Sequence, residues 1–511
     1  MNRQKISFAI NLLAFVAVNA VLGYVYYRYV AGRTSFYDDT FIYLHNAANV
    51  AEHFDANYYL PADSHALLSS SPLRLFFLSI AAALAKLWVP LRTLQGAAVV
   101  LAVAASLQIA VAGVYWLFSR SSGAAARAWV LLILYWGIGL ATHSFFEMEG
   151  SIVLIALAAL AEAVCRRHAF AMGAFAMVAI LARPDLGILG CVFALTAISQ
   201  RPITSWIRGA SLGFAVVAIV YVGLCLATRV YFIPTTVWAK LLSGQSHQFT
   251  DERFLTSLPG RMGAVLTGMN YRATLPNIVG GIVLVASAIF AFRILGRRGL
   301  FPIVVASLVL YRLPAGFLWY YENILTCCVL LIAIGSVWLA RRHRRYLFVP
   351  VTSAVMFLAW CTAFAFPSDN LPWNLSKGPS EGSRGVAYAN LASLHKGNGI
   401  FDLPGFGPSY IRVCEIGMVS FLAGSSVWTN DLCGLAQTGN FERAAKSPLR
   451  LLFPKSVQRT GDEELGRFGN TSLPVIDVWA RDNADDQVAS QRCAYHTALY
   501  CMNVYKNPQH R

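Results

Sequence analysis

Acidic residues are scarce in this chain. Only 25 of 511 residues are Asp or Glu, against 41 Lys or Arg. Charged residues of both signs make up 13% of the chain, and hydrophobic residues 57%. With a mean hydropathy of +0.54, that balance excludes a soluble globular protein and points to a polytopic membrane protein. No CxxC spacing is present, which argues against a zinc ribbon or a thioredoxin-type redox motif. No repeat of solenoid period and no low-complexity tract occur. No small-residue cleavage site follows the first apolar run, residues 6–30, so it reads as a span rather than a signal peptide, with Tyr24 to Tyr29 as an interfacial aromatic anchor.

The net charge of +16 has a local origin. Residues 367–511 hold 14 Lys/Arg and 13 Asp/Glu, whereas residues 1–366 hold 27 and 12. No base-reading motif accompanies the excess, so nucleic acid is not an expected partner. The cations cluster in short segments at Arg120/Arg127, Arg166/Arg167, Arg201/Arg208, Arg293/Arg297/Arg298 and Arg341/Arg342/Arg344/Arg345, as the positive-inside rule requires of cytoplasmic loops. All five clusters share a side with the N-terminus only if residues 72–92 do not cross. That segment is therefore expected to lie in or dip into the outer interface, opened by Pro72 and closed by Pro90.

Eleven spans follow: 6–30, 95–118, 127–145, 150–165, 168–182, 186–199, 207–229, 275–295, 301–318, 322–340 and 346–366. The expected fold is a polytopic α-helical membrane domain over 1–366, with long outer loops at 31–94 and 230–274. An outer soluble α/β domain over 367–511 follows, with strand-like runs at Gly399 to Phe401, Val427 to Leu432 and Pro474 to Trp479. On this topology every acid before residue 367 except Glu162 falls on the outer side. Six of the ten cysteines fall in or beside spans and read as small packing residues. Cys414, Cys433, Cys493 and Cys501 fall in the outer domain, where disulfides are expected; Cys414–Cys433 with Cys493–Cys501 is one of three connectivities, and zinc is the alternative.

The chemistry-bearing residues concentrate on that outer face. Asp38-Asp39-Thr40-Phe41-Ile42 places two carboxylates just past the first span, and acids near the membrane are costly unless used. The apolar positions Phe41, Leu44, Ala48 and Ala51 recur at helical spacing, so the segment reads as an amphipathic surface helix with the acids at its positive N-terminal end. Helix-capping acids are the plain alternative.

These elements, taken in order, resemble the polyprenyl-phosphate-sugar-dependent glycosyltransferases of the GT-C class. The similarity is greatest to the branch of mycobacterial terminal arabinofuranosyltransferases and mannosyltransferase-like membrane proteins. The acidic pair with Phe41-Ile42 matches, as does Ser71-Pro72-Leu73. Glu147-Met148-Glu149-Gly150 resembles a Gly-Met-Glu-Thr element, and Arg183-Pro184-Asp185 an Arg-Pro-Glu element. Ile233-Pro234-Thr235-Thr236-Val237-Trp238-Ala239-Lys240 resembles a Leu-Pro-Asn-Thr-x-Tyr-Ala-Lys element. Gly417 to Phe421 with Val427 to Leu435 resembles a late outer-domain stretch. Gly150 and Asp185 depart from the pattern.

The resemblance implies transfer of a sugar, a pentose such as arabinofuranose or a hexose, from a polyprenyl phosphate to a cell-envelope glycan or glycolipid. The reaction runs on the periplasmic face of a bacterial inner membrane. It needs a carboxylate to take the acceptor proton and cations to neutralise the leaving phosphate. Asp38, Asp39 and Glu149 are the candidate catalytic acids. Arg183, Lys240 and Arg272 are the candidate phosphate ligands, and His143, Trp238, Tyr320, Tyr321 and Glu322 the candidate sugar or acceptor contacts. Arg183 also fits a structural pair with Asp185 or Glu149, Lys240 a snorkelling cation, and the Tyr320–Tyr321 run an aromatic belt. No spacing demands a metal, and a divalent cation stays open. The alternatives in function are a lipid-linked sugar transporter or flippase, and a GT-C-like ligase using a diphosphate-linked glycan.

Overall fold

The computed structural model describes residues 3–31, 38–56, 69, 71–118, 124–141, 143–166, 168–184, 186, 203–228, 232, 254–267, 272–295, 328, 332, 387–397, 399–413, 416–424, 430–431, 473–480, 495–496 and 500–504. The expected spans at 186–199, 301–318, 322–340 and 346–366 lie outside the described residues, apart from isolated positions. The chain divides into two compact units. Unit 1 comprises Met1–Arg28, Leu101–Val220 and Gln245–Trp373; unit 2 comprises Tyr29–Val100, Tyr221–Gly244 and Asn374–Arg511.

Helices dominate: α1 Arg3–Val30, α2 Asp38–His53, α3 Pro72–Ala85, α4 Leu94–Phe118, α5 Ala124–Ala141, α6 His143–Glu147, α7 Gly150–Cys165, α8 Ala169–Ala182, α9 Ile203–Ala227, α10 Phe254–Thr267, α11 Thr274–Leu295 and α12 Ile416–Ala423. Within α1, α4 and α9, the stretches Phe8–Val30, Leu94–Phe118 and Thr204–Ala227 are long and apolar enough to cross a bilayer. The protein is thus a helical membrane protein. Shorter apolar stretches lie in α3, α5, α7, α8 and α11. Helices α7 and α8 keep the expected bounds within a residue. At 16 and 14 residues they reach only about 24 and 21 Å, against a hydrocarbon core of about 30 Å.

Three sequence expectations change in detail. The expected span 127–145 is interrupted: α5 ends at Ala141 and a five-residue α6 follows. There Phe145 and Phe146 turn inward onto Tyr135 and Trp136, and the Phe146 ring lies on Gly139, where a Cβ would collide.

Helix α3 starts at Pro72 as expected but ends at Ala85, so Pro90 does not close it. The last turn tightens through Leu87 N–H to the Leu84 carbonyl and Trp88 N–H to the Ala85 carbonyl, while Lys86 leaves to bond the Ala51 carbonyl. Pro90 belongs instead to the start of α4. Its carbonyl accepts the Thr93 hydroxyl, and Thr93 caps α4 by accepting Gly96 N–H at 2.9 Å.

Helix α2 is not a one-sided surface helix. Its apolar positions are buried, and so are His45, Asn46 and Asn49 on the polar side. It packs on both α3 and α12, with the rings of Phe41 and Phe421 5.5 Å apart.

Unit 1 is tied by small residues and a few buried polar groups, as expected where lipid offers no hydrophobic drive for helix association. Asn19 of α1 donates to the Ser106 carbonyl of α4 and accepts from Trp136 of α5, both at 3.0 Å. Gly173 of α8 meets the Ala210 carbonyl of α9, and Gly213 meets that of Phe170. Gly263 and Gly280 receive the carbonyls of Pro276 and Pro259 in a reciprocal contact of α10 with α11. Arg127 and Arg166 both pair with Glu162, at 3.3 and 2.6 Å, so the start of α5 and the end of α7 share one end of the unit. Cys225 and Cys328 are buried free thiols, as packing residues should be.

Among the described residues, the C-terminal part of unit 2 builds a seven-stranded mixed sheet. Its strands are β1 His395–Gly397, β2 Ile400–Leu403, β3 Gly407–Val413, β4 Asn430–Asp431, β5 Val475–Ala480, β6 Tyr495–His496 and β7 Tyr500–Val504. The order is β1-β2-β3-β5-β7-β6, with β4 on β3. Strand β3 runs antiparallel to β2 but parallel to β4 and β5, so β3–α12–β4 is a parallel crossover. Gly405 and Gly407, both at positive φ, turn β2 into β3 where a side chain would be strained. All three strand-like runs read from the sequence fall on strands, the second only over Asn430–Asp431. Cys414, Cys433 and Cys493 lie outside the described residues. Cys501 sits in β7, opposite His496 in register.

Candidate functional site

The acidic pair opens α2: Asp38 and Asp39 are its first two residues, where the helix dipole favours negative charge. Their side chains lie outside the described residues. One stripe further along the helix, His45, Asn49 and Glu52 (spacing i, i+4, i+7) receives a cation that sequence reading passed over. Arg92 Nη1 lies 3.1 Å from His45 Nδ1, and Nη2 donates to Asn49 Oδ1 at 2.5 Å and to Glu52 Oε2 at 2.9 Å. A guanidinium only donates, so His45 Nδ1 accepts. Burial, reinforced by the Arg92 charge, holds the His45 imidazole well below its ordinary pKa. The ring is neutral at physiological pH. Burial also pulls Arg92 down, while Glu52 opposes that shift.

A second cation in unit 2 was missed. Arg74 is buried in the first turn of α3, 5.0 Å over the Tyr43 ring of α2. Its backbone N–H donates to Ser71 Oγ at 3.3 Å, and Ser69 Oγ donates to the Ser71 carbonyl at 3.0 Å. The Ser71-Pro72-Leu73 element therefore acts at least as a helix start, with Ser71 as N-cap and Pro72 in the first turn. A lone charge, Arg74, in a 14-residue run whose only other polar residue is Ser79 was the available signal.

In unit 1 the structure brings Glu149 and Arg183 together. The Glu149 carbonyl accepts Val153 N–H at the start of α7, and Arg183 ends α8 with its N–H on the Ala179 carbonyl. Their side chains are both buried, with Nη1 and Oε2 4.0 Å apart. The acid sits at a positive helix end and the cation at a negative one, so each dipole favours the charge placed on it. Glu147 is also fully buried, at the end of α6. No family model and no curated protein matches the chain.

Of the remaining candidates, only Arg272 is described with its side chain. His143 begins α6, its side chain outside the described residues. Arg272 is exposed in the turn before α11. Arg261, buried within α10, is a cation the sequence reading missed. Lys240, Trp238, Tyr320, Tyr321 and Glu322 lie outside the described residues, as does the side chain of Asp185. Among the described residues no group of three or more His, Cys, Asp or Glu could hold a metal ion. Asp38 and Asp39 belong to unit 2, Glu149 and Arg183 to unit 1.

Proposed function

We propose that the chain is a GT-C-type glycosyltransferase that moves a sugar from a polyprenyl-phosphate donor to a cell-envelope glycan or glycolipid acceptor. It would work from a bacterial inner membrane through eleven spans, with residues 367–511 as a periplasmic α/β domain. In the reaction the acceptor oxygen bonds to the anomeric carbon as the bond from that carbon to the phosphate oxygen breaks. The acceptor proton passes to a carboxylate, Asp38 or Asp39, and polyprenyl phosphate leaves with its charge met by cations.

The observation that carries this reading is the buried Glu149–Arg183 pair. Two elements singled out by the resemblance, 34 positions apart in sequence, converge at adjacent helix ends; this is also the geometry of the structural pair named as the alternative for Arg183, and the Glu149/Arg183 double variant separates the two. The paired acids at the head of α2 belong to the other unit and enter the reading on the resemblance alone. Lipid is the second partner of the reading, since the isoprenoid tail must enter from the bilayer.

The test is transfer of radiolabelled sugar from a panel of polyprenyl-phosphate sugars to envelope extracts by purified protein. Wild type should transfer from one donor, and the Asp38→Asn/Asp39→Asn double variant should not. Arg183→Ala should weaken donor binding. Wild-type rates in the folded double variant would remove the acids from the mechanism. No turnover with any such donor would move the assignment to a diphosphate-linked donor or to transport.

A further inference from the structure

The head and the tail of α2 are held by different parts of the chain. Toward the tail, Arg92 takes His45, Asn49 and Glu52, and Lys86 takes the Ala51 carbonyl. Both cations come from the segment between α3 and α4. At the head, Phe41 is fully buried against Phe421 of α12, with ring centroids 5.5 Å apart and planes tilted by 43°. Phe41 stands two positions after Asp39 and three after Asp38, so it shares the first turn of α2 with both acids. A helical turn moves as one piece, and a shift of Phe41 carries the acids with it.

Helix α12 is fixed by its surroundings. Eight residues are too few to hold a helix by propensity alone. It forms the crossover from β3 to its parallel neighbour β4, and its Met418, Val419 and Phe421 are buried. Its end is tied down twice. Gly424, at φ 140°, donates its N–H to the Ser420 carbonyl at 3.3 Å. His395 of β1 hydrogen-bonds the Ala423 backbone and accepts Gly399 N–H on Nε2 at 3.3 Å, which joins the end of α12 to the β1–β2 hairpin. Phe421 thus transmits the position of the sheet to the head of α2. It closes the Gly417 to Phe421 stretch, an element the resemblance matches and the chemistry leaves without a role.

We propose that Phe421 is a positioning residue for the acid pair: its ring, seated on Phe41, fixes where the first turn of α2 stands, and with it the backbone of Asp38 and Asp39. The sheet-bearing region is then a working part of the acid-bearing unit and not a separable module. Misplacing a reacting group by about 1 Å costs about 100-fold in rate, so a catalytic acid needs such a support. What the acids do rests on the glycosyl-transfer reading; the link from Phe421 to α2 does not.

The test measures hydrogen exchange and sugar transfer on the full-length protein in nanodiscs, as wild type, Phe421→Ala and Phe421→Leu. The amides of Ile42 to His45 bond back to the first-turn carbonyls and report its opening. Phe421→Ala should speed their exchange about tenfold and leave the amides of Leu154 to Ala158, in α7 of unit 1, at the wild-type rate. With the donor that wild type uses, kcat should fall about tenfold at unchanged KM. Phe421→Leu, which keeps an apolar side chain but no ring, should recover more than half of both effects. Wild-type exchange at Ile42 to His45 in folded Phe421→Ala would overturn the proposal. So would a wild-type kcat, or a loss confined to KM. If Phe421→Ala does not fold, Phe421→Leu decides, since it must still exchange faster than wild type at these four amides. A wild type that transfers from no polyprenyl-phosphate donor would refute the glycosyl-transfer reading instead, and the exchange result then decides this inference by itself.

Discussion

Arg92 and Asn49 lie 43 positions apart in sequence, yet Arg92 Nη2 donates to Asn49 Oδ1 at 2.5 Å, and the same nitrogen reaches Glu52. One guanidinium thus joins the segment leading into α4 to three successive positions on the acid-bearing helix. A planar fork of five donors makes that set of contacts and a lysine ammonium cannot.

Replacing Arg92 should therefore destabilise unit 2 out of proportion to its size. Arg92→Ala leaves His45, Asn49 and Glu52 without their shared donor. Glu52 is exposed, so the loss comes mainly from the stranded buried groups of His45 and Asn49 and should be about 2 kcal/mol. Arg92→Lys should recover less than half of the loss in thermal unfolding of the detergent-solubilised protein. Full recovery by Lys would mean that charge alone, and not the fork, holds the helix.

Stability should also fall in mildly acidic solution. The folded pKa of His45 is lowered by burial and then by Arg92. Above about pH 6.5 both folded and unfolded states are neutral there. Below it the unfolded chain takes up a proton that the folded one resists, so stability declines by about 1.4 kcal/mol per pH unit until the folded pKa is reached. His395 is shifted in the same direction by its own partial burial. The difference between wild type and His45→Gln isolates the buried group: the variant should show a flatter unfolding profile between pH 6.5 and pH 5.

The contact of α8 with α9 depends on two missing side chains. A Cβ on Gly173 would collide with the Ala210 carbonyl, a backbone atom that cannot swing away. Gly173→Val should separate these helices and reduce the yield of folded protein. Gly223 lies in the same α9 with nothing within 4 Å of a Cβ. Gly223→Ala should be neutral or stabilising by up to about 1 kcal/mol, the ordinary helix-propensity difference. Equal losses at both positions would show that close approach is not what Gly173 provides.

Membrane character, the start of α3 at Pro72 and most helix bounds in unit 1 were legible because apolar length and proline chemistry act locally. The end of α3 was not, since Pro90 has a second use: its carbonyl serves the Thr93 cap of α4. Burial of the polar side of α2 was hidden because the residue that compensates it, Arg92, comes from another segment. Strand β3 went unread because Gly407-Pro408 opens it like a turn, although the stretch from Tyr410 to Val413 pairs with β5. At the candidate site, sequence order pointed to Glu149 and Arg183 separately, and the alternative of a pair between them is the geometry found.

That pair has a testable thermodynamic signature. Glu149 and Arg183 are both buried, 4.0 Å apart, at a distance where burial leaves the attraction little screened. Removing one charge strands part of the compensation for the other, so Glu149→Gln and Arg183→Met should each cost about 3 kcal/mol. The double variant should cost less than the sum, because neither charge then remains to be accommodated. Thermal unfolding of the four proteins gives the coupling directly. The same four proteins separate structure from chemistry: a double variant that regains stability without regaining sugar transfer assigns the charges to the reaction, whereas recovery of both assigns them to the fold alone.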